Sequence, residues 1–92
     1  MSFTQVRECI RRKSKVQFSY LDLQQQTTQR TIWPLALISF GPVWLVAGWC
    51  ELRQSFRNFR LDRISEFVAL ESRYANEKDK NLHAYLAQVD HD

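Results

Sequence analysis

The sequence predicts a mainly β protein: about five short strands bent into a small barrel or sandwich, with a helix at each end. Three observations carry that expectation. The 92-residue chain is 45% hydrophobic and 13% aromatic, enough apolar surface for one core without metal or disulfide. Its central apolar stretch is cut by proline and glycine into pieces of strand length. The flanking segments alternate apolar and polar residues, or stop at turn signals, at close intervals.

The central stretch, Ile32–Cys50, holds no charged side chain, and at about 20 residues it raises the question of a membrane span. Pro34 near its start and Gly41-Pro42 in its middle answer it. Proline lacks a backbone donor and disfavours helix in the preceding residue, and Gly-Pro is a turn signal. The remaining pieces, LALISF (Leu35–Phe40) and VWLVAGWC (Val43–Cys50), cannot cross about 30 Å of hydrocarbon as helices. They read as two buried strands joined by a tight turn, and no membrane partner is expected.

The other elements follow in order. Ser2 and Gln5 have capping-box spacing, and Phe3, Val6 and Ile10 then recur at helical intervals. Arg11, Arg12, Lys13 and Lys15 place cations at the helix end, where the macrodipole favours them, and read as a solvated surface. KVQFSY (Lys15–Tyr20) alternates strictly, with Val16, Phe18 and Tyr20 on one face. LDLQQQTT is a polar connection, and TQRTIW (Thr28–Trp33) is a second strand that Pro34 should end. After the two central pieces come a turn at Leu52-Arg53-Gln54 and a strand in SFRNFR. In RLDRI, Leu61 and Ile64 are three apart, as are Arg60 and Arg63. One helical or 3-10 turn there puts the apolar pair inward and the arginines outward. EFVAL (Glu66–Leu70) is the last strand, and NLHAYLAQV carries Leu82, Tyr85, Leu86 and Val89 at helical spacing. Residues 1–72 thus form the β domain with its N-terminal helix, and residues 73–92 a polar connection and a C-terminal helix.

Charge separates the same two parts. Residues 1–70 hold ten Lys and Arg against five Asp and Glu, and residues 71–92 hold three against five. A basic body permits an anionic partner. Only two cysteines occur, Cys9 and Cys50, without metal-ligand spacing; no disulfide framework is expected, a reducing cytoplasm is the default, and the N-terminus lacks the apolar run of a signal peptide. Chemistry of the enzymatic kind finds little support. His83 and His91 lie in the polar tail, Asp90-His91-Asp92 sits at a terminus, and no phosphate-cradling glycine loop or paired carboxylate on an apolar strand occurs. No catalytic residue, metal site or cofactor is expected.

The motifs, taken in order, resemble the WYL domain of bacterial transcriptional regulators. The matching residues are Tyr20-x-Asp22, Arg30, Trp33-Pro34-Leu35, Gly41-x-Val43-Trp44-Leu45-Val46-Ala47 and Arg57-x-Phe59-Arg60-x-Asp62-Arg63-Ile64. They span roughly Phe3 to Leu70, and the arginine-rich segment is the most specific. Two departures stand out. The tripeptide Trp-Tyr-Leu is here Val43-Trp44-Leu45, and Gln24-Gln25-Gln26 replaces the glycine usual in the hairpin after Asp22. The resemblance implies an Sm-like five-stranded β-barrel that senses nucleic acid or nucleotide ligands through a basic cleft. Such domains usually follow a winged-helix DNA-binding domain, so one is expected in the full-length protein.

The ligand-binding candidates are Arg30, Arg57, Arg60 and Arg63 on phosphates and Trp44 on a base. A structural alternative has Asp62 and Glu66 neutralising the arginines, or Trp44 in the core. Both faces of VWLVAGWC are apolar, so periodicity leaves Trp44 open, while its family position favours a ligand. Arg57 and Arg60 differ by an odd number, so a regular strand sends them to opposite faces. Tyr20 and Phe59 read as core. The leading expectation is a non-catalytic sensor of single-stranded nucleic acid or a nucleotide. The rival is a protein-interaction module, homodimerising through a strand edge or the stripe Leu82, Tyr85 and Leu86.

Overall fold

A computed structural model of the chain describes residues 2–89; Asp90, His91 and Asp92 lie outside the described residues, as does the side chain of Val89. Helix α1 (Phe3–Arg12) leads into β1 (Ser14–Leu21), β2 (Thr27–Phe40), β3 (Val43–Cys50) and β4 (Ser55–Arg60). A 3-10 turn (Leu61–Arg63) joins β4 to β5 (Ile64–Arg73), and α2 (Leu82–Val89) follows. The expected capping geometry is present: the Ser2 Oγ accepts a hydrogen bond from the Gln5 N–H at 3.1 Å.

The five strands form one antiparallel sheet in the order β4-β3-β2-β1-β5. The ladders leave β4 and β5 as its two edges, linked by the 3-10 turn. The sheet curls hard. Three strand spacings separate β1 from β4, about 14 Å in a flat sheet, yet the Phe18 and Phe59 rings lie 5.3 Å apart. Phe67 of β5 stacks on Phe18 from the other side at 6.4 Å. Inside the curl, Val16, Phe18, Ile32, Val46, Cys50 and Phe59 form the core, closed by Val6 and Cys9 of α1. Leu61 and Ile64 pack against it, as their spacing predicts.

Pro34 does not end a strand. The segments expected as TQRTIW and LALISF are one strand of 14 residues. Pairing of β2 with β1 stops at Ile32, so on that side no ladder requires the donor that proline lacks. On the other side Pro34 pairs with Gly48, and the register shifts between Pro34 and Ala36. A bulge therefore absorbs the proline. The tight turn expected at Gly41-Pro42 is there, with Gly41 at φ +61. In the β1–β2 hairpin, Asp22 Oδ1 accepts from the Gln24 and Gln26 N–H groups, and Gln25 takes the positive φ that a glycine would favour. Arginine exposure around the 3-10 turn also departs from expectation. Arg63 is half-buried and reaches back to the Leu21 and Asp22 carbonyls at 3.4 Å each.

The outer face of the sheet carries a second cluster: Trp33, Leu35, Ala47, Tyr74 and Tyr85, with Trp49 and Phe56 against it. The residues after β5 fold back over this face. Tyr74 stacks on Trp33 at 5.4 Å and donates a hydrogen bond to the Pro34 carbonyl; burial pushes its phenol up to about 12. Lys80 lies 5.6 Å from the Trp33 ring and 5.3 Å from the Trp49 ring. Among Leu82, Tyr85 and Leu86 of the α2 stripe, Tyr85 turns inward, while Leu82 and Leu86 stay exposed.

Glu51 fixes the end of β3 against this cluster. Its Oε2 accepts from Trp33 Nε1 at 2.8 Å and pairs with Lys15 Nζ at 2.9 Å. The indole hydrogen bond and then Lys15 hold the carboxyl below its ordinary 4.5. A carboxyl acidified by folding stabilises the fold fully above its unfolded value, and that contribution is lost as pH falls through the folded value. Glu51→Gln should therefore lower the urea midpoint at neutral pH, with the difference from the parent shrinking below about pH 4. Denaturation series at both ends of that range check it.

Candidate ligand-binding cleft

Strand alternation sorts the arginines before any contact is counted. On β2, Thr28, Arg30 and Ile32 share the concave face, and on β4 so do Ser55, Arg57 and Phe59. Each arginine is tied to a hydroxyl two residues earlier on its own strand. Arg30 Nε donates to Thr28 Oγ1 at 3.0 Å, and Arg57 Nε donates to Ser55 Oγ at 3.2 Å. The curl brings the two strands to one cleft of about 360 Å³, lined by Tyr20, Arg30, Arg53, Arg57, Asn58 and Phe59. That volume lies in the range of small-ligand pockets.

Arg30 is the unusual member. It is 8% exposed, sits opposite Phe18 in the ladder, and has its guanidinium 5.8 Å from the Phe59 ring and 3.8 Å from Cys50 Sγ. Among the described residues no carboxylate pairs with Arg30, Arg53 or Arg57, and none lines the cleft. Guanidinium keeps its charge at any physiological pH, and a buried charge without a counter-charge is costly. Arg30 alone bears that cost; the exposed Arg53 and Arg57 join it at the cleft, and guanidinium forks match the oxygens of phosphate and carboxylate groups.

The remaining candidates are placed elsewhere. The β3–β4 ladder is regular through Arg57 and Arg60, so these two point to opposite faces, as their odd spacing requires. Arg60 makes a two-toothed pair with Asp62, Nε at 3.0 Å and Nη2 at 2.7 Å. The pair holds the Asp62 carboxyl below its ordinary 3.8, chiefly through the Arg60 hydrogen bond. Arg63 is engaged with the β1–β2 hairpin, and its buried Nε has no partner among the described residues. Trp44 lies on the concave face, four residues and about 13 Å along β3 from Gly48, the ladder partner of Arg57. It meets the Phe3 ring edge-on at 5.1 Å and lines a separate depression with Arg7, Ile10, Arg11 and Leu37. Arg53 is the member that sequence reasoning passed over. It lies in a turn, and its only signal is the shared parity of Arg53, Ser55 and Arg57.

Residues 1–69 match the family model described as WYL domain. The chain belongs to the WYL domain family. Among solved structures it is similar to Proteasome accessory factor B/C (PafBC) of Arthrobacter aurescens, with a TM-score of 0.74 and 28% sequence identity. That match covers 80% of this chain and 12% of PafBC, so the chain spans a small part of that protein's length. WYL domains are regulatory, ligand-sensing units of transcriptional regulators and are generally non-catalytic. In this WYL domain no described helix is long and apolar enough to cross a membrane, and the described residues include no His, Cys, Asp and Glu cluster able to hold a metal ion.

Proposed function

We propose that this WYL domain senses a short single-stranded nucleic acid or a nucleotide in the cytoplasm and transmits its presence to a DNA-binding domain elsewhere in the full-length protein. Arg30, Arg57 and Arg53 grip the phosphates, and Tyr20 supplies the aromatic wall of the cleft for a base. One observation carries the reading: Arg30 is buried beside two further guanidiniums with no carboxylate among the described residues to neutralise it. An arginine kept only for stability would have a partner, as Arg60 has in Asp62. Transmission requires the ligand to prefer one of two states of the regulator.

The test is a fluorescence titration with a labelled oligothymidylate at several salt concentrations. Three phosphate contacts give a log–log slope of about −2 for a single strand. Arg60→Ala should leave both affinity and slope nearly unchanged, because that guanidinium is already occupied by Asp62. Arg57→Ala should weaken binding and reduce the slope by about 0.7. Binding indifferent to salt would overturn the proposal.

A further inference from the structure

Strand β4 is a thin wall with different tenants on its two sides. It is an edge strand of six residues, paired on one side only, with β3. On the concave side Arg57 and Phe59 line the cleft. On the outer side Phe56 and Asn58 meet helix α2. The Phe56 ring lies 5.7 Å from the Tyr85 ring, and the Tyr85 hydroxyl donates to Asn58 Oδ1 at 2.8 Å. Asn58 also borders the cleft, so residues in direct succession along one backbone touch the arginine site and the helix alternately.

Tyr85 dominates the docking of α2. It is 7% exposed, whereas Leu82, His83, Leu86, Ala87 and Gln88 are all exposed. An element whose described side chains offer one buried aromatic anchor, with a capping residue, Asn81, that accepts from the Ala84 N–H at 2.9 Å, belongs to the low-stability end of a fold. An edge strand with one ladder is likewise easier to displace than a central one. The two weak elements are in contact.

We propose that Tyr85 is a positioning residue for the cleft, holding β4 from behind through Asn58 and Phe56 so that Arg57 stays aligned with Arg30. Cleft occupancy and α2 docking are then coupled through β4: a polyanion on Arg57 steadies the wall that Tyr85 grips, and release of Tyr85 loosens the wall that carries Arg57. This coupling rests on the polyanion reading of the cleft given above. By reciprocity, whatever free energy α2 docking adds to ligand binding, ligand binding adds to α2 docking.

The full chain is titrated with an oligothymidylate about ten nucleotides long, and amide hydrogen exchange is followed residue by residue. The expected result is slower exchange at Ala84–Leu86 on binding, and about fivefold weaker binding in Tyr85→Phe, at the low end of couplings between sites. Tyr85→Phe keeps the ring and removes only the hydroxyl, so the fold is retained. A purely structural Tyr85 would leave α2 exchange indifferent to the ligand. Binding with unchanged α2 exchange and unaltered Tyr85→Phe affinity overturns the coupling and leaves the ligand reading intact. If the oligonucleotide does not bind the parent chain, the nucleic-acid reading fails. Pyrophosphate, which loads the guanidiniums without a base, then decides the coupling by the same two measurements. No response at α2 to pyrophosphate overturns it.

Discussion

Arg30→Met is expected to weaken ligand binding by roughly 30-fold or more while leaving the domain as stable as its parent, or more so. The guanidinium sits beside Phe59 and Cys50, with a hydrogen bond to Thr28 and, among the described residues, no carboxylate partner. Taking a charge out of water costs several kcal/mol even after relaxation. Methionine follows a similar path without that charge and packs against the same neighbours. Urea midpoints should therefore stay level or rise. For the ligand, losing one partner of a buried charged contact costs about 2 kcal/mol or more, roughly 30-fold in affinity. Opposite signs on stability and binding are the mark of a side chain retained for function. Lost stability with affinity preserved would make Arg30 structural and remove the basis of the proposed function.

Gly48→Ala should destabilise the sheet more than a methyl group added at Gly41. A Cβ at Gly48 would stand 2.5 Å from the Trp33 carbonyl oxygen and 3.2 Å from Ile32 Cδ1. The oxygen belongs to backbone, and Trp33 is anchored by its ladder to Trp49, its bond to Glu51 and its stack on Tyr74. Neither strand can yield alone. The close approach lies beside the register shift between Pro34, the ladder partner of Gly48, and Ala36, and a strand glycine often marks such a place. We expect a loss of about 3 kcal/mol, or about 15 °C in the thermal midpoint of a domain this size. Gly41→Ala is the comparison. Gly41 has φ +61 and open space around it, so only the backbone conformation resists and the loss should be nearer 1 kcal/mol. Equal losses at the two positions would show that the Trp33 contact is not the cause.

Alternation and helical spacing made much of this molecule legible. Phe18 and Val16 are core because their strand alternates, Leu61 and Ile64 turn inward because they are three apart, and Gly41 reverses the chain as read. Pro34 departs from the expected strand end for a definite reason: whether a missing donor matters depends on whether a neighbouring strand extends that far, and β1 does not. The arginines divide in the same way. Arg60 and Asp62 are two apart and their pairing is a local matter. Arg53 gave almost no signal because a turn has no fixed periodicity.

By itself, then, the sequence determined the β class, the family, the core face of β1 and the opposite orientations of Arg57 and Arg60. These are consequences of neighbours within a few residues, where backbone geometry dictates direction. Only the tertiary structure decided that Arg30 and Arg57 share a cleft with Arg53, that Trp44 stands apart from it, and that Tyr85 backs its wall. The curl of the sheet and the register of its ladders bring those groups together. Both arise from packing Phe18, Phe59 and Phe67 into one core, which no local pattern encodes.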